Sequence, residues 1–502
     1  MIHTISRIIR QVLGSRKLFY VVIGLFVVQA VWLALTVQYP MAFDESYHFG
    51  IIQIYAHQWT PFITSATQYA SGYGDLTRYD SYMYHYLMSF PYRVIAGFIP
   101  QQEIQIIILR LLNVGLFVGG LLLFHRLLRR IHLSEALTNF ALVVFILIPV
   151  VPVLAATINY DNLVFLLVPV VTGLALRCSQ SLAQSKTIPA RSLLLLLIFG
   201  FIATLAKYAF APIFVAILLY LLIIFIRAPA KAVVLSSFTE SFKSLRRSLQ
   251  IGLIIGILLS GGLFVERYAT NIIQYHSLAP DCGDVQDIAS CIQYGPWGRN
   301  YQLATNVKAN NPAPDPPILL YSPVWLGDMV YRLYFAVNYD FVTYSPLPIP
   351  ISVASIIGGL GFVLCFVFWR SILRIDRQLL LFGAIIVLYV GGLFFVNFTE
   401  YLRYRTVVAV NGRYLIVVLP LLFAWLALAY RQFFIVLFKD HARSVMALFS
   451  VAVILLLLQG GGALTYLVHS QPIWYWQDKT LIDFNTGLQK LVSPLIIGGQ
   501  SK

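Results

Sequence analysis

The chain is 502 residues long, 59% hydrophobic and 11% charged, with a formal net charge of +15. Soluble proteins carry about 25% charged residues, so the composition excludes an ordinary water-soluble enzyme. Apolar runs of roughly 20 residues recur along the sequence, each long enough to cross about 30 Å of hydrocarbon as a helix that satisfies its own backbone. The fold class is all-α and polytopic.

In chain order, apolar runs and their charged flanks predict about eleven transmembrane spans, near 18–37, 104–124, 136–156, 161–176, 192–206, 208–226, 249–265, 348–369, 379–396, 414–430 and 444–464. The pair at 192–206 and 208–226 reads equally as one long broken helix. Arg7, Arg10, Arg16 and Lys17 precede the first span. That run is too long for a secretory apolar region and lacks a small-x-small cleavage site, so it reads as an uncleaved signal anchor with a cytoplasmic N-terminus. On this topology the inner segments hold 21 Lys and Arg against four acids, and the longer outer segments hold 13 against 16. The positive charge therefore orients the chain and faces anionic lipid; it is not a nucleic-acid patch.

The organisation that follows is an N-terminal transmembrane module over 1–265, with a first outer loop at 38–103. A loop domain or lid follows at 266–347, then C-terminal spans at 348–464 and an outer tail at 465–502. The first loop is aromatic enough to form interfacial helices. The second contains Asn310-Asn311-Pro312-Ala313-Pro314-Asp315-Pro316-Pro317. The tail carries Trp474-Tyr475-Trp476, which reads as an aromatic belt at the membrane interface. Cys178 and Cys365 fall at or in spans and read as packing residues. Cys282 and Cys291 share an outer loop with no His between them, a spacing that favours a disulfide in an oxidising compartment over a zinc site.

The sharpest motif is Phe43-Asp44-Glu45-Ser46-Tyr47-His48-Phe49-Gly50, directly after the first span. Adjacent carboxylates raise each other's proton affinity, which suits a base poised near neutrality. The competing reading is structural, with Asp44 as a helix N-cap. Arg110 lies inside the second span and requires a carboxylate or phosphate partner. Asn159-Tyr160-Asp161 forms the outer turn between the third and fourth spans, Lys207 lies at the turn after the fifth, and Asn411-Gly412-Arg413-Tyr414 opens the tenth. Lys207 and Arg413 are also placed to snorkel toward headgroups. Together these residues put carboxylates and cations on one face, the requirement for a base-assisted attack with a phosphate leaving group.

This pattern resembles the GT-C glycosyltransferases, polytopic enzymes that use polyprenyl-phosphate-linked sugars. The 43–50 run resembles the first-loop motif of protein O-mannosyltransferases and, more loosely, the Asp-Glu region of lipid A aminoarabinose transferases. The Arg110 context, Asn159-Tyr160-Asp161 and Leu205-Ala206-Lys207-Tyr208 resemble later motifs of the superfamily. Uncharacterised bacterial membrane proteins with an Asp-Glu-x-x-His motif, an Asn-Tyr-Asp turn and a late Gly-Arg-Tyr are similar in order. The likeness covers most of 1–230 and 397–430. The chain departs from the mannosyltransferases at Tyr79-Asp80-Ser81-Tyr82-Met83-Tyr84, where those enzymes carry a Pro-Pro-Leu-Gly-Lys type stretch.

The resemblance implies an inverting glycosyltransferase in the cell (plasma) membrane, acting on the extracytoplasmic side. A polyprenyl-phosphate sugar is the implied donor, and an envelope lipid, glycan or protein the acceptor. Asp44 is the implied base and Glu45 an orienting carboxylate, while Arg110, Lys207 and Arg413 hold the donor phosphate. His48, Asn159, Asp161 and Tyr414 are expected to contact sugar or acceptor. The carboxylates and His48 also make a divalent metal a candidate cofactor. The alternative is a transporter or flippase of lipid-linked sugar, for which internal repeats and charges near the membrane midplane are the signature. The sequence shows neither.

Overall fold

The computed structural model describes residues 2–63, 71–184, 187–228, 231–309, 317–334, 349–460 and 462–496. The Pro- and Asn-rich run 310–316 in the expected lid therefore lies outside the described residues. A backbone in hydrocarbon must satisfy its own hydrogen bonds. Correspondingly, all regular structure among the described residues is helical, apart from one isolated antiparallel bridge between Val37 and Tyr475.

The chain begins with α1 (Ile2–Leu13) and α2 (Arg16–Thr36), which is N-capped by Ser15. The first loop holds α3 (Glu45–Ala56) and α4 (Met83–Phe98), and α5 (Gln102–Arg130) follows. Ser134 caps α6 (Glu135–Ile146), which is followed by α7 (Val150–Ala156). The two are bent by 75°, at Pro149 with Pro152 following. Proline lacks the N–H that would continue the ladder and clashes with the preceding turn. Next come α8 (Tyr160–Gln184), α9 (Ala190–Ala206), α10 (Ala211–Arg227), α11 (Lys231–Lys243) and α12 (Arg247–Tyr275). The segment after α12 contributes α13 (Cys282–Val285), α14 (Ile288–Ile292), α15 (Gly295–Ala309) and α16 (Ile318–Leu333). The chain then forms α17 (Ile349–Ile375), α18 (Leu379–Tyr404), α19 (Leu419–Phe438), α20 (Ala442–Gln459), α21 (Thr465–His469) and α22 (Lys479–Val492).

Among the described residues, eight stretches are long and apolar enough to cross a membrane, or nine if the bent α6–α7 pair is one span. This is fewer than the eleven expected, for two physical reasons. First, α9 is apolar but only 17 residues long. Second, the last stretch, Leu419–His469, contains both α19 and α20. These two fold back on each other at residues 439–441, so that the Phe434 and Phe449 rings lie 5.3 Å apart. The 192–226 region is likewise two helices, not one. Lys207 is in extended conformation between them, and Phe201 of α9 meets Phe214 of α10 at 5.6 Å, as in a hairpin.

The interior is closed by close helix approaches. Phe117 of α5 stacks on Phe165 of α8 at 4.1 Å. Gly120, one turn along α5, gives Phe165 the room it occupies, since a Cβ there would lie 2.5 Å from that ring and 3.0 Å from the Phe165 carbonyl oxygen.

Two expectations about the outer segments change. In the first loop α4 keeps an exposed apolar stripe, Leu87, Phe90, Val94 and Phe98, as an interfacial helix requires. In contrast, α3 is packed inside, with His48, Phe49, Ile51, Ile52 and Tyr55 buried. The tail is not an aromatic belt. Trp474 and Tyr475 are only 3% and 2% exposed, because the segment pairs its backbone with the end of α2. Gln38 N–H donates to the Trp474 carbonyl at 2.9 Å, and Trp476 N–H donates to the Thr36 carbonyl at 3.1 Å.

Gly120→Val should overpack the α5–α8 contact and cost about 1–3 kcal/mol, read as a lower thermal midpoint of the purified protein in detergent. Gly115→Val on the same helix, where a Cβ meets nothing within 4 Å, should leave the midpoint near the parent's.

Candidate active site

Glu45 and Arg110 are both fully buried and form a bidentate pair. Arg110 Nε donates to Glu45 Oε1 at 2.8 Å, and Nη2 donates to Oε2 at 2.7 Å. The carboxylate also accepts from the backbone N–H groups of Met41 (2.6 Å) and Ile158 (3.2 Å). Arg110 Nη1 donates to the Val37 carbonyl at 2.5 Å and to that of Ala34 at 3.3 Å. Two charges taken from water persist only when paired and hydrogen-bonded on all sides, and here both are. The pair ties the end of α2 to α3, α5 and the turn after α7. Arg110 was expected to hold a donor phosphate; its guanidinium is instead enclosed by Glu45 and backbone carbonyls.

The turn that delivers Glu45 inward turns its neighbour outward. Phe43 and Asp44 both adopt left-handed backbone (φ 67° and 62°), a conformation that non-glycine residues hold only where the surroundings impose it. Asn159 supplies part of that constraint, its Nδ2 donating to the Phe43 carbonyl at 2.9 Å. Asp44 stands at the N-cap position of α3, but its side chain makes no capping bond. Its carboxylate, 59% exposed, instead accepts from Arg413 Nη2 at 2.6 Å. Arg413 is 8% exposed and packs over the rings of Phe43 and Tyr414 at about 5 Å. Asn411 fixes the local turn by accepting from Arg413 N–H at 3.0 Å.

Asp161 forms a second buried pair with Lys207, at 2.5 Å. Lys207 Nζ also lies over the rings of Tyr160 (4.6 Å) and Tyr414 (4.9 Å). The other Asp161 oxygen, Oδ2, is buried without a hydrogen-bond partner.

These groups meet at a cavity of about 480 Å³. Of the residues singled out in the sequence, Asp44, His48, Arg413 and Tyr414 line it. Glu45, Arg110, Asn159, Asp161 and Lys207 stand behind that lining. Residues of the 266–347 segment form a facing wall through Asp281, Tyr294, Trp297 and Arg299. Cys282 and Cys291 are joined in a disulfide within this wall. Tyr294 stacks on Tyr47 at 5.4 Å, and Gln286 donates to Asp75 at 3.1 Å. Both contacts dock the second loop on the first.

Sequence reasoning missed Asp80, Arg78 and the tyrosine wall of Tyr47, Tyr79 and Tyr294. Burial raises the Asp80 carboxyl to about 6, although the Ser81 hydroxyl donates to it at 2.9 Å. Its signal was present in the Tyr79-Asp80-Ser81 stretch that departs from the mannosyltransferase pattern. His48 stacks on His85, Nδ1 to Nε2 at 2.9 Å. Burial holds His85 down at about 3. It also holds His48 well below its usual value, with repulsion from His85, Arg413 and Lys207 adding to the effect. Both rings are therefore neutral near pH 7, with one N–H shared along the pair. Among the described residues, no group of three His, Cys, Asp or Glu side chains is arranged to hold a metal ion.

Comparisons with protein-family models, with curated proteins and with solved structures give no match.

Glu45→Gln should leave the Arg110 charge buried without its partner, at a cost of about 3–5 kcal/mol. The variant should lose folded yield in size-exclusion chromatography, whereas Asp44→Asn, at an exposed carboxylate, should not. The histidines give a pH dependence of known sign. Their native pKa values lie below the unfolded value of about 6.5, so the stability they permit is present above that pH and lost as pH falls beneath it. His85→Gln should therefore narrow the drop in thermal midpoint between pH 7.5 and pH 5.5 relative to the parent. Asp80, raised rather than lowered, is common to both proteins and cancels in that comparison.

Proposed function

We propose that the chain is a membrane glycosyltransferase of the GT-C type, moving a sugar from a polyprenyl-phosphate donor to an envelope acceptor with inversion at the anomeric carbon. The observation that carries this reading is the Asp44–Arg413 pair. An accessible carboxylate and a nearly buried guanidinium share the wall of a polar cavity at one end of an apolar helical bundle. A lipid-linked phosphate sugar has a matching division, with an apolar tail for the bundle surface and an anionic head for the cavity.

In the proposed reaction the phosphate of the donor competes for Arg413 and loosens its hold on Asp44. The freed carboxylate takes the proton of the acceptor hydroxyl as that oxygen bonds to the anomeric carbon. The bond from that carbon to the phosphate oxygen breaks, and the departing phosphate keeps the electron pair beside Arg413. One displacement with one base inverts the centre. Lys207 extends the positive field through Tyr160 and Tyr414, and the Asp161 Oδ2 acceptor is placed to order a hydroxyl or water behind them. Glu45 and Arg110 act through position alone. The tyrosine wall offers ring faces for a sugar.

The span count enters the same proposal. Adding the bent pair, α9 and the second helix of Leu419–His469 to the eight gives eleven crossings. Thr36, at the end of the first crossing, is bonded to Trp476 after the last. Both then lie on one side, which requires an odd total. With the N-terminus cytoplasmic, the cavity and the tail are extracytoplasmic.

The test is transfer from a polyprenyl-phosphate sugar by the reconstituted protein. Asp44→Asn should reduce transfer by about 10²–10⁴-fold without loss of folded yield, and unchanged transfer removes Asp44 as the base. Arg413→Ala should chiefly raise the donor KM, and an effect confined to the acceptor contradicts the phosphate role.

A further inference from the structure

A cavity of about 930 Å³ lies at the other end of the bundle. Arg413 precedes α19 and the new cavity surrounds its last turn. The 20 residues of that helix separate the two by about 30 Å. Four cations line it: Arg10 of α1, Arg431 of α19, Lys439 of the turn and Arg443 of α20, with Asp440 as the one acid among the lining residues. Whereas Arg110, Lys207 and Arg413 are each paired with a carboxylate, none of these four makes an ion pair among the described residues.

We propose that this cavity binds the phosphate headgroup of an anionic membrane lipid. Four features converge on that ligand. The formal excess of three positive charges attracts an anion. α20 is 18 residues long and begins at the cavity, so the positive end of its dipole is directed at the space that an anion would fill. The floor is apolar, made by Leu13, Leu137 and Met446, which suits an acyl chain and gives a free inorganic anion nothing. Finally, α1 lies along the rim as an interfacial helix. It is pinned to α20 by Ser6 and Ser444 (3.1 Å) and exposes Ile5, Ile8 and Val12 on one face. By charge distribution this is the cytoplasmic end, where anionic lipid is concentrated. The site is independent of the reaction proposed above.

The test uses the full chain in neutral detergent. It is titrated separately with short-chain phosphatidylglycerol, phosphatidylcholine and inorganic phosphate, and the thermal midpoint is followed as a function of ligand concentration. Phosphatidylglycerol should stabilise the parent saturably, and phosphatidylcholine and phosphate should not. Arg431→Gln/Arg443→Gln, at two exposed side chains, should weaken the apparent affinity by about 30-fold. Arg246→Gln/Arg247→Gln, exposed basic residues outside the cavity, should leave it unchanged. Equal weakening in both double variants overturns the cavity in favour of general surface charge. Stabilisation by inorganic phosphate alone overturns the lipid. No response to phosphatidylglycerol overturns the site.

Discussion

The structure of the end of the bundle that carries Asp44 depends on one buried ion pair. Glu45 and Arg110 lie where neither could persist alone, and each is satisfied by the other and by backbone groups of Val37, Met41 and Ile158. A charge pair in this setting is weak as a source of net stability but strong as a constraint, because any arrangement that separates the partners leaves an unpaired charge in low dielectric. It fixes the 37–45 turn on α5, and so fixes which of two adjacent acids faces inward. Asp44 is accessible because Glu45 is not. The left-handed backbone at Phe43 and Asp44 is the local strain that this division imposes.

Much of the site followed from residue chemistry. An arginine inside an apolar helix needs an anionic partner, and Glu45 of the acidic pair in the first loop supplies it. Asp161 and Lys207 were recognised as charges at neighbouring turns, but their pairing with each other was not. The Asp44–Arg413 pair did not follow, because its members are 369 residues apart and a cation at a span boundary reads equally well as a snorkelling one. Asp80 lay unrecognised among tyrosines, since burial, which only the fold determines, is what gives its carboxyl an unusual proton affinity.

The fold itself was readable where hydrophobicity alone decides and unreadable where backbone pairing does. The starts of the apolar helices were placed within about five residues, although several helices run well past the expected ends, and Pro149 and Pro152 were visible breaks in a run that hydropathy scored as continuous. The tail was misread for the opposite reason. Trp474-Tyr475-Trp476 has the composition of an interfacial belt, yet its backbone bonds to Thr36 and Gln38 carry it inside. Composition reports what a segment tolerates, not which edge of the bundle it closes. The two ends of α19 show a related contrast, with cations held by acids at one end and left without them at the other, and total charge conceals this.

The Asp44–Arg413 pair also sets an order of events during synthesis. Glu45 and Arg110 are 65 residues apart, so at ribosomal rates the second is made about 3–13 s after the first. Asp44 waits about 20–70 s for Arg413 by the same measure. The nascent chain thus secures its costliest buried charges while only the first helices are inserted. Arg413, the partner of Asp44, is added by one of the last segments to emerge, so a truncated product would keep the scaffold and lack the pair.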